Sequence, residues 1–186
     1  MNENFIFKFR VLSFILLGLG LVWIYISMPA VGSSTASNAP SPRESFSAPN
    51  FSLQTLEGDT IQLSQLKGKI IVLNLWATWC PPCQAEMPAL QKVHQMYSDQ
   101  PVIILTANMT HQDDPNQIVR FKTEKGLTFP ILLDHQGELA EKYAIRSLPT
   151  TFFIDANGII RKVIQGGPLP EALLIAQVEK MLKEKP

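Results

Sequence analysis

The chain has 186 residues, a length that fits one domain with appendages. Its 16 basic and 16 acidic side chains give a formal net charge of zero. Because these charges form neither a basic stripe nor a long run, we expect no nucleic-acid partner.

The first predicted element is a membrane-spanning signal-anchor helix at residues 11–28, a segment without charged side chains. A helix of this length reaches about 27 Å, close to the ~30 Å hydrocarbon core of a bilayer. Lys8 and Arg10 precede the segment, and the next charge is Arg43. The positive-inside rule therefore leaves residues 1–10 in the cytoplasm and the remaining chain outside, tethered to the cell membrane.

A cleaved signal peptide is the alternative interpretation of the same segment, although its apolar core would normally be shorter. Both interpretations export the rest of the chain to a compartment where disulfide exchange is normal. Residues 29–48 are rich in Ser, Ala and Pro, which predicts a flexible linker. Residues 49–186 form the predicted folded domain.

Strands and helices alternate along this domain, which predicts an α/β fold with a central mixed sheet. The apolar run at residues 69–76 is typical of a buried central strand. Asp113 or Asp114 is expected to cap the helix that Gly126 ends. In chain order we predict a hairpin (51–53 and 61–63), a strand (69–76), a helix (81–97), a strand (102–106), a helix (113–125), a strand (130–133), a short helix (138–143), a second hairpin (151–155 and 159–165) and a final helix (169–183).

The only two cysteines, Cys80 and Cys83, stand at the start of the first long helix. A structural disulfide closing so short a loop would contribute only about 2 kcal/mol. Zinc would need further ligands, and haem attachment would need a histidine where Gln84 stands. Redox chemistry remains, without metal or cofactor beyond the cysteine pair, and the alternative is a pair of unreactive buried thiols.

We assign Cys80 as the nucleophile, because a helix N-terminus stabilises the thiolate that attacks disulfides. Cys83 lies one turn later on the same side and can resolve the mixed disulfide. Glu86 shares the predicted buried face with Cys83, and burial would raise its pKa. Our hypothesis is that Glu86 accepts the proton of Cys83. The alternative is a glutamate that tilts outward and only favours the helix dipole.

Two further positions are candidates for substrate contact. Trp79 could cover the disulfide or touch the substrate. Pro149 precedes a predicted strand, and an X-Pro bond at such a turn is sometimes cis.

The residue 79–83 sequence WCPPC resembles the W-C-x-x-C active site of the thioredoxin superfamily. With residues 48–69, 72–90 and 147–160, the chain more closely resembles the membrane-anchored extracytoplasmic thioredoxins of the ResA/TlpA group, including CcmG-like proteins. This resemblance implies a thioredoxin fold with an N-terminal hairpin and a helix–strand insertion at residues 108–130. It also implies a cis Leu148–Pro149 bond, substrate contact at the Leu148 backbone, and an active-site role for Glu86.

The resemblance further implies a monomeric reductase of disulfides in exported proteins, for example apocytochrome c during cytochrome c maturation. Its electrons would come from a membrane donor of the CcdA/DsbD type. TlpA-like relatives act on other proteins, such as copper-site assembly factors, and an oxidase direction also stays open. Two other classes remain: a copper-binding thiol chaperone, and a thiol peroxidase, although its T-x-x-C pattern would need threonine at Ala77.

Overall fold

The computed structural model describes residues 40–184 and Trp23. Apart from Trp23, the predicted membrane segment at 11–28 lies outside the described residues, as do residues 1–10 and most of the predicted linker. Within the described part of the chain, no helix combines the length and the apolar character needed to cross a bilayer.

Five strands form a mixed central sheet in the order β5-β4-β3-β6-β7, and two more strands form a separate hairpin. The strands are β1 (Ser52–Gln54), β2 (Thr60–Gln62), β3 (Ile70–Trp76), β4 (Val102–Asn108), β5 (Ile131–Leu133), β6 (Thr150–Ile154) and β7 (Ile160–Gln165). The central strand β3 is parallel to β4 and antiparallel to β6. The predicted mixed sheet and N-terminal hairpin are therefore confirmed.

Within residues 40–184, four α-helices accompany the sheet: α1 (Pro81–Met96), α2 (Pro115–Lys125), α3 (Glu138–Lys142) and α4 (Glu171–Lys183). Asp114 caps α2 by accepting a hydrogen bond from the Asn116 amide at 2.9 Å, and Gly126 ends the helix in the left-handed conformation. The final helix begins at Glu171 rather than at Leu169, because Pro170 occupies an extended cap position before it.

Side chains of β3 alternate between two hydrophobic cores, since successive strand residues point to opposite faces. Val72 and Trp76 pack with apolar residues of α1 and α4. Leu73 and Leu75 pack on the other side with Phe51, which precedes the N-terminal hairpin, and with Leu63, which follows it. All seven residues of β3 are buried, as expected for a central strand covered on both faces. Asn74 shares its face with Val72 and Trp76, and this parity places its amide toward α1.

The described part of the predicted linker is paired with the second hairpin, which corrects our boundary at residue 48. Ser45 N–H donates to the Ile160 carbonyl at 2.8 Å, and Ile160 N–H donates to the Phe46 carbonyl at 2.9 Å. Ala48 N–H donates to the Gly158 carbonyl at 2.8 Å. Backbone groups pair whatever side chains they carry, so the Ser/Pro-rich composition did not reveal this segment.

Candidate active site

The two cysteines lie where the central strand passes into α1. Cys80 is the N-cap of α1, and Pro81 occupies its first position, where a missing N–H is no loss. The cysteines form a disulfide, and the Cys83 amide donates to Cys80 Sγ at 3.3 Å. Cys80 retains 4% exposure, whereas Cys83 has none. Cys80 is thus the sulfur that a partner can approach, and it stands at the positive end of a helix.

The cis-proline loop lies beside the same strand end. Thr150 of β6 pairs with Leu75 of β3. Because the strands are antiparallel, extending this register by one residue brings Pro149 opposite Trp76. The Leu148–Pro149 bond is cis, as the resemblance implied. Leu148 is half-buried against the core that contains both cysteines. These two residues therefore border the turn that leads to Cys80.

Trp79 is the exposed aromatic of the site, with 54% of its surface accessible, whereas Trp76 is fully buried. The indole Nε1–H of Trp79 donates to the Gln112 carbonyl at 2.8 Å. One edge of the ring is therefore fixed while the rest faces solvent next to Cys80. An aromatic surface held in this way can accept a polypeptide chain without losing much side-chain entropy.

Glu86 points inward, so the alternative of an outward-tilting glutamate is wrong. Only 1% of its surface is exposed. Oε1 accepts from Asn74 Nδ2 at 2.7 Å, and Oε2 accepts from the Leu169 amide at 2.8 Å. Burial raises the pKa of Glu86 above its ordinary value, and the bonds from Leu169 and Asn74 offset part of this rise. The raised pKa makes this carboxylate a better proton acceptor than an exposed glutamate would be.

A glycine brings the chain after β7 against both Glu86 and the cis-proline loop. A Cβ on Gly167 would lie 2.7 Å from Pro149 Cγ and 2.8 Å from Glu86 Oε2. The Gly166 amide donates to the Pro149 carbonyl at 2.8 Å. A second cis bond, Gly167–Pro168, follows, and the sequence did not indicate it. Residues 166–169 therefore connect the predicted proton acceptor with the predicted substrate loop.

The predicted site residues meet around one strand end, and sequence reasoning missed three contributors to it. The Leu169 amide is a backbone group, which leaves no sequence signal. Gln112 also acts through its backbone. Asp113 binds the loop before Cys80, and the Asp-Asp doublet was the available signal, because only one of the two can cap α2. Among the described residues, no group of three or more His, Cys, Asp or Glu side chains could hold a metal ion.

Comparison with known proteins gives consistent matches. Residues 46–163 match the model of the AhpC/TSA family. The chain is 40% identical over 124 residues to the thioredoxin-like protein YneN of Bacillus subtilis, covering 67% of this chain and 72% of that protein. It is 42% identical over 120 residues to the thiol-disulfide oxidoreductase ResA of Geobacillus thermodenitrificans, covering 64% and 67%. The crystal structure of StoA from Bacillus subtilis superposes with a TM-score of 0.62 at 34% identity, covering 70% and 96%.

Proposed function

We propose that this chain, which belongs to the AhpC/TSA family and is a ResA-like protein-disulfide oxidoreductase with a thioredoxin fold, reduces disulfides of exported proteins. The observation that carries the proposal is the cap position of Cys80, with Cys83 buried one turn later and Glu86 buried another turn on. This order gives an attacking sulfur, a resolving sulfur and a proton acceptor along one helix face.

The first step is attack by the Cys80 thiolate on one sulfur of the substrate disulfide. A Cys80–substrate S–S bond forms, the substrate S–S bond breaks, and the other substrate sulfur leaves as a thiolate that takes a proton. The helix N-terminus and the Cys83 amide favour the attacking thiolate. Trp79 and the Leu148–Pro149 loop border this position and would receive the substrate chain.

The second step is resolution by Cys83. Its thiol gives its proton to Glu86, and the resulting thiolate attacks Cys80 Sγ. The Cys80–Cys83 bond forms, and the second substrate sulfur leaves as a thiolate. Two electrons have then passed from the cysteine pair to the substrate, and a dithiol donor must restore the reduced pair.

The cellular setting of this reaction is part of the proposal. The charge pattern around residues 11–28 supports a single-pass anchor in the cell membrane, with the catalytic domain on the extracytoplasmic side. A donor of the CcdA/DsbD type would supply electrons, and the enzyme would act as a monomer. The resemblance to ResA supports apocytochrome c as one substrate.

Trapping the mixed disulfide tests this function. Cys83→Ser blocks resolution, so substrates should accumulate as covalent adducts of Cys80 in cells. The matched control is Cys83→Ser combined with Cys80→Ser, which should capture nothing. Mass spectrometry of adducts released by reductant should identify exported, cysteine-containing proteins. Recovery of cytoplasmic proteins alone, or of no adduct, would contradict the proposal.

The role of Glu86 has its own readout. Glu86→Gln removes the proton acceptor while retaining size, so resolution should slow and lose the pH dependence that Glu86 imposes. Attack by Cys80 should keep its own pH profile. Rapid-mixing kinetics with a model disulfide separate these two steps. An unchanged resolution profile in Glu86→Gln would leave the glutamate without this role.

A further inference from the structure

The loop between β3 and α1 determines where the Cys80 sulfur stands relative to the helix N-terminus. This nucleophile loop comprises residues 77–79. Its own backbone supplies one hydrogen bond, from the Cys80 amide to the Ala77 carbonyl at 3.3 Å. Other contacts come from outside the loop, and most come from the insertion.

The Asp113 carboxylate is the principal contact. Oδ2 accepts from the Thr78 amide at 2.6 Å, and Oδ1 accepts from the Thr78 hydroxyl at 2.5 Å. Asn108 Nδ2 donates to Oδ2 at 2.8 Å, and the Asp114 amide donates to Oδ1 at 2.9 Å. Oδ2 thus bridges the loop and the end of β4, whereas Oδ1 bridges the loop and the residue that precedes α2. Capping of α2 is left to Asp114.

Two neighbouring contacts complete the attachment. Trp79 is bound through its indole N–H to the Gln112 carbonyl, one residue before Asp113. The Gln84 side-chain amide of α1 donates to the Thr78 carbonyl. Thr78 therefore has its amide, hydroxyl and carbonyl all engaged. The loop is held at a fixed distance from both α1 and the insertion.

We propose that Asp113 is a positioning residue that holds the nucleophile loop so that Cys80 Sγ stays at the N-terminus of α1. The proposal rests on the proposed function in one respect, the assignment of Cys80 as the attacking sulfur. A helix terminus stabilises a thiolate only within about the first turn. A sulfur displaced from the cap position therefore loses this stabilisation. The insertion therefore contributes to the reactivity of a cysteine outside it.

Asp113 affects the pKa of Cys80 in two opposite ways, through its negative charge and through the position it gives the nucleophile loop. A nearby negative charge disfavours a thiolate, so removal of charge alone would make Cys80 more acidic. Loss of position would make it less acidic. Thr78, Trp79 and Asp113 line a surface groove. Four other charged or titratable side chains line this groove and remain unchanged in the variants at Asp113: His111, Asp114, Arg120 and Glu124.

The test measures alkylation of reduced Cys80 by iodoacetamide as a function of pH, in the purified full chain. We expect Asp113→Ala to raise the Cys80 pKa by about one unit, which moves the midpoint of the alkylation profile up by about one pH unit, a tenfold change in the acid dissociation constant. The reduction potential of the cysteine pair, measured at a pH above both alkylation midpoints, should fall by about 30 mV, the same tenfold change converted for two electrons. Asp113→Asn, which still offers an oxygen to the Thr78 amide, should raise the Cys80 pKa less than Asp113→Ala does.

Asp114→Ala is the matched control, because it removes the neighbouring carboxylate and the cap of α2 without touching the nucleophile loop. It should leave the alkylation profile unchanged. Thr78→Val removes only the hydroxyl contact and should slow alkylation by a smaller factor, which keeps the test available if Asp113→Ala does not fold.

Four outcomes would overturn the proposal: a wild-type profile in Asp113→Ala, a wild-type profile in Thr78→Val, an equal loss in Asp114→Ala, or faster alkylation in both Asp113 variants. Failure of the proposed function looks different. It would appear in the wild type itself, as iodoacetamide modifying Cys83 in place of Cys80.

Discussion

Gly167→Ala offers the sharpest test of how the chain after β7 supports the site. The added Cβ would approach Pro149 Cγ to 2.7 Å and Glu86 Oε2 to 2.8 Å, whereas ordinary contact begins at 3.4 Å. The Pro149 ring, the Glu86 carboxylate or the backbone at residue 167 must therefore move by roughly half an ångström or more. The proline ring is buried, and the carboxylate is held by two hydrogen bonds, so neither neighbour can yield freely.

Overpacking of this kind costs about 1–3 kcal/mol of folding free energy. If the carboxylate yields, its bond from the Leu169 amide is weakened. That bond lowers the pKa of Glu86, so its loss should raise the pKa further and move the pH profile of Cys83 resolution upward. Gly167→Ala should thus reduce both the stability of the oxidised protein and the rate of resolution at neutral pH.

Urea unfolding of the oxidised chain measures the first effect, and rapid-mixing kinetics with a model disulfide measure the second. Gly68→Ala is the matched control, because a Cβ there meets nothing within 4 Å although φ is +86°. It should show only the backbone strain of alanine in that conformation, with an unchanged pH profile. Wild-type stability and kinetics in Gly167→Ala would refute the close approach on which this reasoning depends.

Three further variants address the pH dependence and the supporting framework. Burial holds the pKa of Glu86 above 4.5, so the folded chain keeps a proton that the unfolded chain releases. Wild-type stability should therefore fall as pH rises from about 4.5 through the folded-state pKa, a decline absent from Glu86→Gln in urea titrations across pH. Tyr143→Phe removes a buried hydroxyl that donates to the Pro49 carbonyl at 2.8 Å; it should lower stability by about 1–3 kcal/mol in urea titrations, with Cys80 alkylation unchanged. Asp134→Ala removes a buried carboxylate that accepts from the first amides of α3; thermal denaturation should show a loss of about 1–2 kcal/mol, and an unchanged midpoint would contradict this role.

Periodicity and turn residues predicted the order of strands and helices because the domain follows local rules closely. The apolar run at 69–76 became β3, and Ala156-Asn157-Gly158 became the turn between β6 and β7. The cysteine position at a helix start was likewise readable, since a strand, a short loop and Pro81 specify that start. Inward placement of Glu86 followed from its helix face.

Backbone contacts over long sequence distances were not readable. The Leu169 amide reaches Glu86 across 83 positions, and the Gln112 carbonyl meets Trp79 across 33. Neither contact depends on the side chain of the backbone partner, so composition carries no trace of it. From the sequence, either Asp113 or Asp114 could have capped α2. The structure shows that Asp114 caps the helix and that Asp113 binds the nucleophile loop.

The complete burial of β3 has a consequence for how such enzymes can be modified. Amides of a strand paired on both sides and covered on both faces open only with global unfolding, so hydrogen exchange should be slowest there. Cys80 is joined to this rigid strand through three residues, whereas Trp79 and α2 present the outward surface. The exposed face of α2 could therefore be replaced without disturbing β3. Gln112 and Asp113 would have to be retained in any such chimera.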